Sequence, residues 1–218
     1  MARKSQSTKS KSAPGSDPLR RILSAAMDET AAVGWRHLSL EAVAKRARMK
    51  LGEVLAHTPT KAHLLARFAD HIDTVALSSV DAVDHAQSVK DRLFDLLMRR
   101  FDELQKHRNG VVALMKGVTR DPGEAAMLLA RLSRSMTATL SAAGLSPHGL
   151  MGCAQMMGLK AVYLSALRAW QTDESTDMAK IMAALDKALG LAERAANFVS
   201  MRGRKRGAQG ARVDARSS

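Results

Sequence analysis

The sequence predicts an all-α protein of about nine helices. Apolar residues make up 46% of the 218 residues but aromatic residues only 3%, so the core must be built from Ala, Leu, Met and Val. Apart from Val, these residues are good helix formers. No stretch shows the period-two alternation of β-branched residues that a strand needs. The expected helices are 18–32, 38–47, 52–57, 61–83, 89–107, 110–118, 122–143, 147–170 and 175–199.

The first three helices form a compact pattern. Asp17 and Pro18 are typical of a capped helix start, and Gly34 follows the end of that helix. Ser39 is placed to cap the second helix, because its hydroxyl can accept a backbone N–H of the first turn. A tight turn at 48–51 separates the second helix from the short third one. Two short helices joined in this way are typical of a helix-turn-helix.

The remaining helices have their own start and stop signals. Pro59 and Thr60 precede a long helix from Lys61 to about Val83, whose apolar positions keep helical spacing, as expected of a connector. The next helix, 89–107, has one apolar face, and the helix after it, 110–118, is short. Asp121-Pro122-Gly-Glu124 resembles a capping box, in which both carboxylates accept backbone donors of the first turn. Gly144 ends that helix.

The last two helices are apolar on nearly all sides, so each must be covered on more than one face. We expect one face to pack on the chain itself and another on a second copy. The candidate dimer interface comprises Met151, Leu159, Val162, Ile181, Leu185 and Leu189. A helix buried wholly within one chain is the alternative. The lone Cys153, in the first of these helices, is expected to be a small core residue.

Basic residues are concentrated at the two ends of a chain whose formal net charge is +13. Six lysines and arginines stand against one aspartate in residues 1–21, and again in residues 201–218. We expect a disordered basic arm at 1–17 and a disordered basic tail at 201–218, because neither has apolar residues to bury. Basic arms attract polyanions, so nucleic acid is the leading partner and an anionic membrane surface the next. Arms that only increase solubility are the alternative.

The first 65 or so residues resemble the head of the TetR family of bacterial transcriptional repressors. The matching positions are Ile22, Leu23, Ala25, Ala26, Gly34, Trp35, Ser39, Leu40, Val43, Ala44, Ala47, Gly52, His57 and Lys61. The resemblance implies a helix-turn-helix DNA-binding domain at 18–65 and a helical ligand-binding and dimerisation domain at 66–200. The chain departs from the family pattern at Arg48, Lys50, Leu55 and Thr58, where the family usually has Gly, Ser, Tyr and an aromatic residue.

The resemblance also implies a set of DNA contacts on a homodimer that binds an imperfect palindrome. Lys50 and Glu53 are the candidates for base edges, since Lys can donate to guanine and Glu can accept from cytosine. Ser39, His57 and Lys61 are placed for phosphates, and Arg46 and Arg48 can join them. The backbone at Gly52 lies in the same short helix. For the basic side chains, an ordinary solvated helix face is the alternative.

The body is expected to bind an apolar small molecule, whose binding shifts the connecting helix and releases a repressor from DNA. Methionines are adaptable enough to line such a pocket, although methionine at helical spacing is more often plain core. The candidate pocket residues are Met115, Met136, Met157, Tyr163 and Trp170.

A second resemblance gives an alternative function. The segments 91–102 and 170–180 are similar to the lipid-binding accessory proteins of ubiquinone biosynthesis, which share the TetR architecture without binding DNA. Catalysis is not expected, since the chain has no phosphate-binding glycine loop, no His-Glu-x-x-His and no nucleophile elbow. No metal site or cofactor is expected either. The basic N-terminus has no apolar run behind it, and no long uninterrupted apolar span occurs, so a cytoplasmic location is expected.

Overall fold

The computed structural model describes residues 17–78, 86–173 and 178–194, and every regular element within these ranges is helical. The helices are α1 (Pro18–Val33), α2 (Leu40–Ala47), α3 (Leu51–His57), α4 (Lys61–Leu77), α5 (Val89–Lys106), α6 (Arg108–Val118), α7 (Pro122–Ala142) and α8 (Gly149–Thr172), with a 3₁₀ turn at Trp35–His37. A further helix, α9, is described over 179–194. The all-α prediction is confirmed.

The chain divides into two compact units. The head unit comprises the described residues of Met1–Phe68 together with His107–Glu124, and the body unit comprises those of Ala69–Lys106 and Ala125–Ser218. The head unit therefore contains α6 in addition to the three helices expected from the sequence. The domain boundary at 65/66 stays a prediction. The basic arm and tail, and the expected helix ends near 83, 175 and 199, lie outside the described residues.

Three of the helix starts follow the sequence signals closely. The Asp17 carboxylate accepts the backbone N–H of Leu19 at 3.0 Å, and the Ser39 hydroxyl accepts that of Ala42 at 3.1 Å. Thr60 Oγ1 accepts the backbone N–H of His63 at 3.2 Å at the start of α4. Short side-chain acceptors at these positions satisfy backbone donors that a helix leaves unpaired.

Three local predictions were wrong. The Glu124 carboxylate does not complete a capping box but accepts the indole N–H of Trp35 at 2.7 Å, while Asp121 alone accepts the backbone N–H groups of the first turn of α7. The helix expected from Pro147 begins at Gly149. Cys153 is exposed and is not a core residue.

In the head unit, α6 lies unusually close to the elements that it covers. A Cβ built on Gly110 would lie 2.3 Å from the backbone oxygen of Met27 in α1, and one on Gly117 would lie 2.6 Å from Trp35 Cβ. These two glycines are seven residues apart and therefore share one face of α6. The absence of a side chain at both positions allows this close packing, which buries Trp35 and Met27 almost completely.

The core of the body unit combines aromatic packing with a buried charge pair. Phe101 lies with its ring centroid 5.4 Å from that of Tyr163 and 6.5 Å from that of Trp170. Arg100, 5% exposed, pairs with Asp73, which also accepts the hydroxyl of Ser135 at 2.6 Å. Burial lowers the pKa of Arg100, but the nearby Tyr163 and Asp73 raise it above its usual value, so the guanidinium stays charged.

One described helix, α8, is long and apolar enough to cross a membrane by length and composition, and 33% of its most apolar window is buried. From the sequence we expect no uninterrupted apolar run long enough to span a membrane, and this expectation holds for α8 because Lys160 lies within the helix. A core helix of a soluble protein passes the same test.

Candidate nucleic-acid interface

The turn between α2 and α3 is held in place by the rest of the head unit. Arg48 ends α2 in the left-handed conformation, with φ 53° and ψ 46°, and its backbone N–H donates to the carbonyls of Ala44 and Lys45. Arg21 of α1 donates its guanidinium N–H to the carbonyl of Ala47 at 2.7 Å. A side chain donating to the last carbonyls of a helix stabilises that end. The turn is therefore tied to α1 by a charged donor.

Helix α3 is anchored along one side and exposed elsewhere. Val54 has no exposed surface, and Thr58, just after the helix, is buried with its hydroxyl donating to the carbonyl of Val54 at 3.0 Å. All six other residues of α3, namely Leu51, Gly52, Glu53, Leu55, Ala56 and His57, are exposed. The third helix is therefore presented outward, as the proposed DNA contact requires. Thr58 can occupy this buried position because its hydroxyl is hydrogen-bonded at the end of the helix.

The α3 residues predicted to contact DNA differ in the interactions that they already make within the protein. Lys50 is exposed and immediately precedes α3. The Glu53 carboxylate accepts the backbone N–H of Lys50 at 3.1 Å, so it stabilises the start of α3. A Cβ built on Gly52 would meet no atom within 4 Å, so nothing in the protein itself requires a glycine there. His57 is exposed at the end of the helix.

Three of the predicted phosphate contacts also have partners within the head unit. Ser39 caps α2, as described above. Arg46 forms an ion pair with Glu29 of α1, at 2.6 Å between Nε and Oε2. Lys61 donates to the carbonyl of Trp35 at 2.7 Å, and its ammonium lies 4.8 Å from the centroid of the Trp35 ring. Arg48 is exposed. Of the residues predicted to contact DNA, Lys50, Arg48 and His57 thus have side chains that make the fewest interactions within the protein.

Two exposed leucines of α3 were not among the predicted contacts. Leu51 is 36% exposed and Leu55 is 38% exposed. They are four residues apart and therefore neighbours on one face of the helix. A helical projection of 51–57 places Leu55 about 100° and Leu51 about 60° from Val54, so the sequence carried a signal for the exposure of Leu55 once Val54 was assigned to the core.

The surroundings of α3 are basic. Lys45, Arg46, Arg48 and Lys50 lie within six residues of one another, and all four are exposed. Of the acidic residues near them, Glu29 and Glu53 are engaged as described above, whereas Glu41, four residues before Lys45 in α2, is exposed. A cluster of cations beside an outward helix attracts a polyanion such as the phosphate backbone of DNA.

Four of the five candidate pocket residues belong to the body unit. Met136, Tyr163 and Trp170 are buried in the body unit, with 0%, 5% and 0% of their surface exposed. Met157 also belongs to the body unit but is 58% exposed. Met115 belongs to the head unit. The pocket stays a prediction, and three of its five residues belong to the core of the body unit.

Five of the six candidate dimer residues are covered by their own chain. Leu159, Val162, Ile181, Leu185 and Leu189 are each at most 7% exposed in a single copy, whereas Met151 is 49% exposed. The exposed apolar side chains of α8 are instead Leu150, Met151, Ala154, Met157 and Ala161. The dimer interface stays a prediction, and the apolar pattern of α8 did not show which of its sides is covered by the chain itself.

No group of three or more potential metal ligands occurs among the residues that the structure describes. No family model and no curated protein matches the chain.

Solved structures do match the chain. A TetR transcriptional regulator from Nitrosomonas europaea aligns with a TM-score of 0.68 at 20% identity, over 81% of this chain and 98% of that one. A TetR-family regulator from Streptomyces coelicolor aligns with a TM-score of 0.59 at 15% identity, over 85% of each chain. A TetR regulator from Rhodococcus sp. RHA1 aligns with a TM-score of 0.55 at 18% identity, over 80% and 93%. The protein therefore has the fold of the TetR-family transcriptional regulators.

Proposed function

We propose that the protein is a cytoplasmic, DNA-binding transcriptional regulator of TetR type, acting as a homodimeric repressor. The observation that carries this proposal is the placement of α3, which is anchored at Val54 and Thr58 and exposed on its other sides, and which follows exposed Lys45, Arg48 and Lys50 in the chain. At seven residues it is about 10 Å long, which suits a major groove about 12 Å wide. The shared fold supports the proposal.

The proposal is tested by titrating the protein with DNA from upstream of its own gene at two salt concentrations. Lys50→Ala should weaken binding by about 1–3 kcal/mol if Lys50 contacts a base, and should also relax the sequence preference. Lys187→Ala, at an exposed lysine of α9 in the body unit, is the matched control and should leave binding unchanged. Equal affinity for operator and unrelated DNA, with strong salt dependence, would contradict the proposal.

Gly52 offers a sharper test, because nothing within 4 Å in the protein opposes a side chain there. Gly52→Ala should keep or raise stability, since alanine favours a helix by about 1 kcal/mol over glycine. It should nevertheless weaken DNA binding if the backbone of α3 approaches the duplex closely. Gly190→Ala in α9, where a Cβ would lie at ordinary contact distances of 3.5 Å from an Arg194 guanidinium nitrogen and 3.9 Å from Lys90 Nζ, is the matched control. Unchanged affinity in Gly52→Ala would show that α3 does not lie against DNA.

For the dimer we propose an interface on the exposed apolar side of α8. Leu150 is 90% exposed and Met157 58% exposed, on a side of α8 that also exposes Met151, Ala154 and Ala161. Exposed apolar surface of this kind is typical of a protein–protein contact. Met157→Glu should shift the protein from dimer to monomer in sedimentation velocity, while Val33→Glu at an exposed site of α1 should not. If the wild-type protein sedimented as a monomer, the proposed dimer interface would be refuted.

An apolar small molecule that binds the body unit and lowers DNA affinity completes the proposal. Met136, Tyr163 and Trp170 supply apolar walls, and the buried Arg100 Nε has no hydrogen-bond partner among the described residues. An apolar molecule with one acceptor oxygen fits this combination. The probe is anilinonaphthalene sulfonate, whose fluorescence should rise on binding wild-type protein and rise less with Arg100→Met. The lipid-binding alternative is not favoured, because the matching structures are described as transcriptional regulators.

A further inference from the structure

One side of α3 is exposed and wholly apolar. At about 100° per residue, Leu51, Leu55, Gly52 and Ala56 follow one another around the helix over an arc of about 140°. No polar side chain falls within this arc, and Val54, the buried residue, lies outside it. We call these four residues the apolar face of α3.

The apolar face is unusual for its surroundings. Single exposed leucines are ordinary on protein surfaces, but here two lie side by side on a helix of seven residues. Lys45, Arg48 and Lys50, all exposed, lie within six residues of Leu51 in the chain. A polyanion that also presents apolar groups complements such a surface in both charge and polarity.

The polar side chains of α3 lie outside its apolar face. Glu53 lies outside the apolar arc, and its carboxylate already accepts the backbone N–H of Lys50 at 3.1 Å. His57 also lies outside the arc. Lys50, immediately before α3, and His57, at its end, are the exposed donors of this short segment.

In the major groove, the apolar group that differs between base pairs is the C5-methyl of thymine, which alkyl side chains contact. We propose that Leu51 and Leu55 bind the C5-methyl groups of thymines in each half of the operator, so that α3 recognises A·T pairs largely by apolar contact. This inference rests on the proposed function. Gly52 and Ala56 are small enough to let the leucines reach the base edges.

The test begins with selection of an operator from a random duplex library by the full-length wild-type protein. Each thymine of the selected site is then replaced by deoxyuridine, which lacks only the methyl group. For each contacted methyl, affinity should fall about fourfold, corresponding to one apolar carbon removed from water. In Leu51→Ala or Leu55→Ala, the penalty at the matching thymine should disappear. Leu129→Ala, at a 46% exposed leucine of α7, should retain the full penalty.

Circular dichroism of each variant shows whether it is folded. Because the two leucines are replaced in separate variants, the test can still be made if one variant does not fold. Selection of an operator that is equally well bound with deoxyuridine overturns the inference but leaves the proposed function standing. The same holds if the deoxyuridine penalty is identical in wild type and both leucine variants, as it would be if another residue contacts the methyl. Failure to select any sequence overturns the proposed function and this inference together.

Discussion

The contact between α1 and α6 gives a stability prediction that depends on a single missing carbon atom. Gly110→Ala would place a Cβ 2.3 Å from the Met27 backbone oxygen, 2.8 Å from the Met27 carbonyl carbon and 2.9 Å from Met27 Cα. Real Cβ atoms essentially never approach other heavy atoms below 3.0 Å. All three obstacles are backbone atoms of a helix, so relief requires movement of one helix relative to the other within the head unit.

The expected magnitude is the difference between two opposing effects. Overpacking a closely packed site costs about 1–3 kcal/mol, and the upper end applies here because no flexible side chain can yield. Alanine in place of glycine within a helix returns about 1 kcal/mol. The free energy of unfolding should therefore fall by about 2 kcal/mol, which lowers Tm by about 4–8 °C in a chain of this size.

Urea unfolding followed by circular dichroism and tryptophan fluorescence measures the change. Trp35 in the head unit and Trp170 in the body unit make the fluorescence sensitive to both. Gly190→Ala in α9 is the control, since a Cβ there meets only the ends of the Arg194 and Lys90 side chains at 3.5 and 3.9 Å, and it should stabilise the protein by about 0.5–1 kcal/mol. If Gly110→Ala were as stable as the wild type, α6 would not pack on α1 as closely as described, and the explanation of Gly110 would be refuted.

Other substitutions test single interactions. Arg48→Gly should raise stability by about 1 kcal/mol, because glycine adopts the left-handed conformation without strain, while Arg48→Ala should not; equal effects would refute this reasoning. Glu124→Gln should lower stability by about 1 kcal/mol and shift Trp35 emission, if the indole hydrogen bond forms. Burial raises the pKa of Glu103, but hydrogen bonds from Lys106 and His71 lower it below its ordinary 4.5, so its contribution to stability should be lost as pH falls below about 4.5. Glu103→Gln should remove that part of the acid sensitivity in urea titrations at pH 3–7, and an unchanged profile would contradict the assignment.

The starts and ends of helices were largely predictable from the sequence, because they depend on residues close together in the chain. Asp17, Ser39 and Thr60 each satisfy a backbone donor two or three residues away. Gly34 and Gly144 follow the ends of α1 and α7 with φ of 80°, as expected for residues without a Cβ. Such effects are local and act in any tertiary context.

Part of the candidate DNA interface was predictable for the same reason. The spacing from Ser39 to His57 identified two short helices and a turn, and Lys50 and Gly52 are exposed as the resemblance implied. The engagement of Arg46 by Glu29 and of Lys61 by Trp35 was not predictable, since each joins residues at least 17 positions apart. The exposed leucines of α3 emerged only when Val54 was seen to be buried.

By itself, the sequence determined the helical class, most helix boundaries and the position of the helix-turn-helix, because caps, glycines and apolar periodicity act over a few residues. Tertiary structure determined which side of each apolar helix is covered and where long polar side chains bind. Glu124 illustrates the difference, since its sequence position fits a capping box but its carboxylate accepts the indole of Trp35, 89 residues away. On α8, burial of Leu159 and Val162 and exposure of Leu150 and Met157 depend on neighbours in the folded chain, which the helix's own periodicity does not encode.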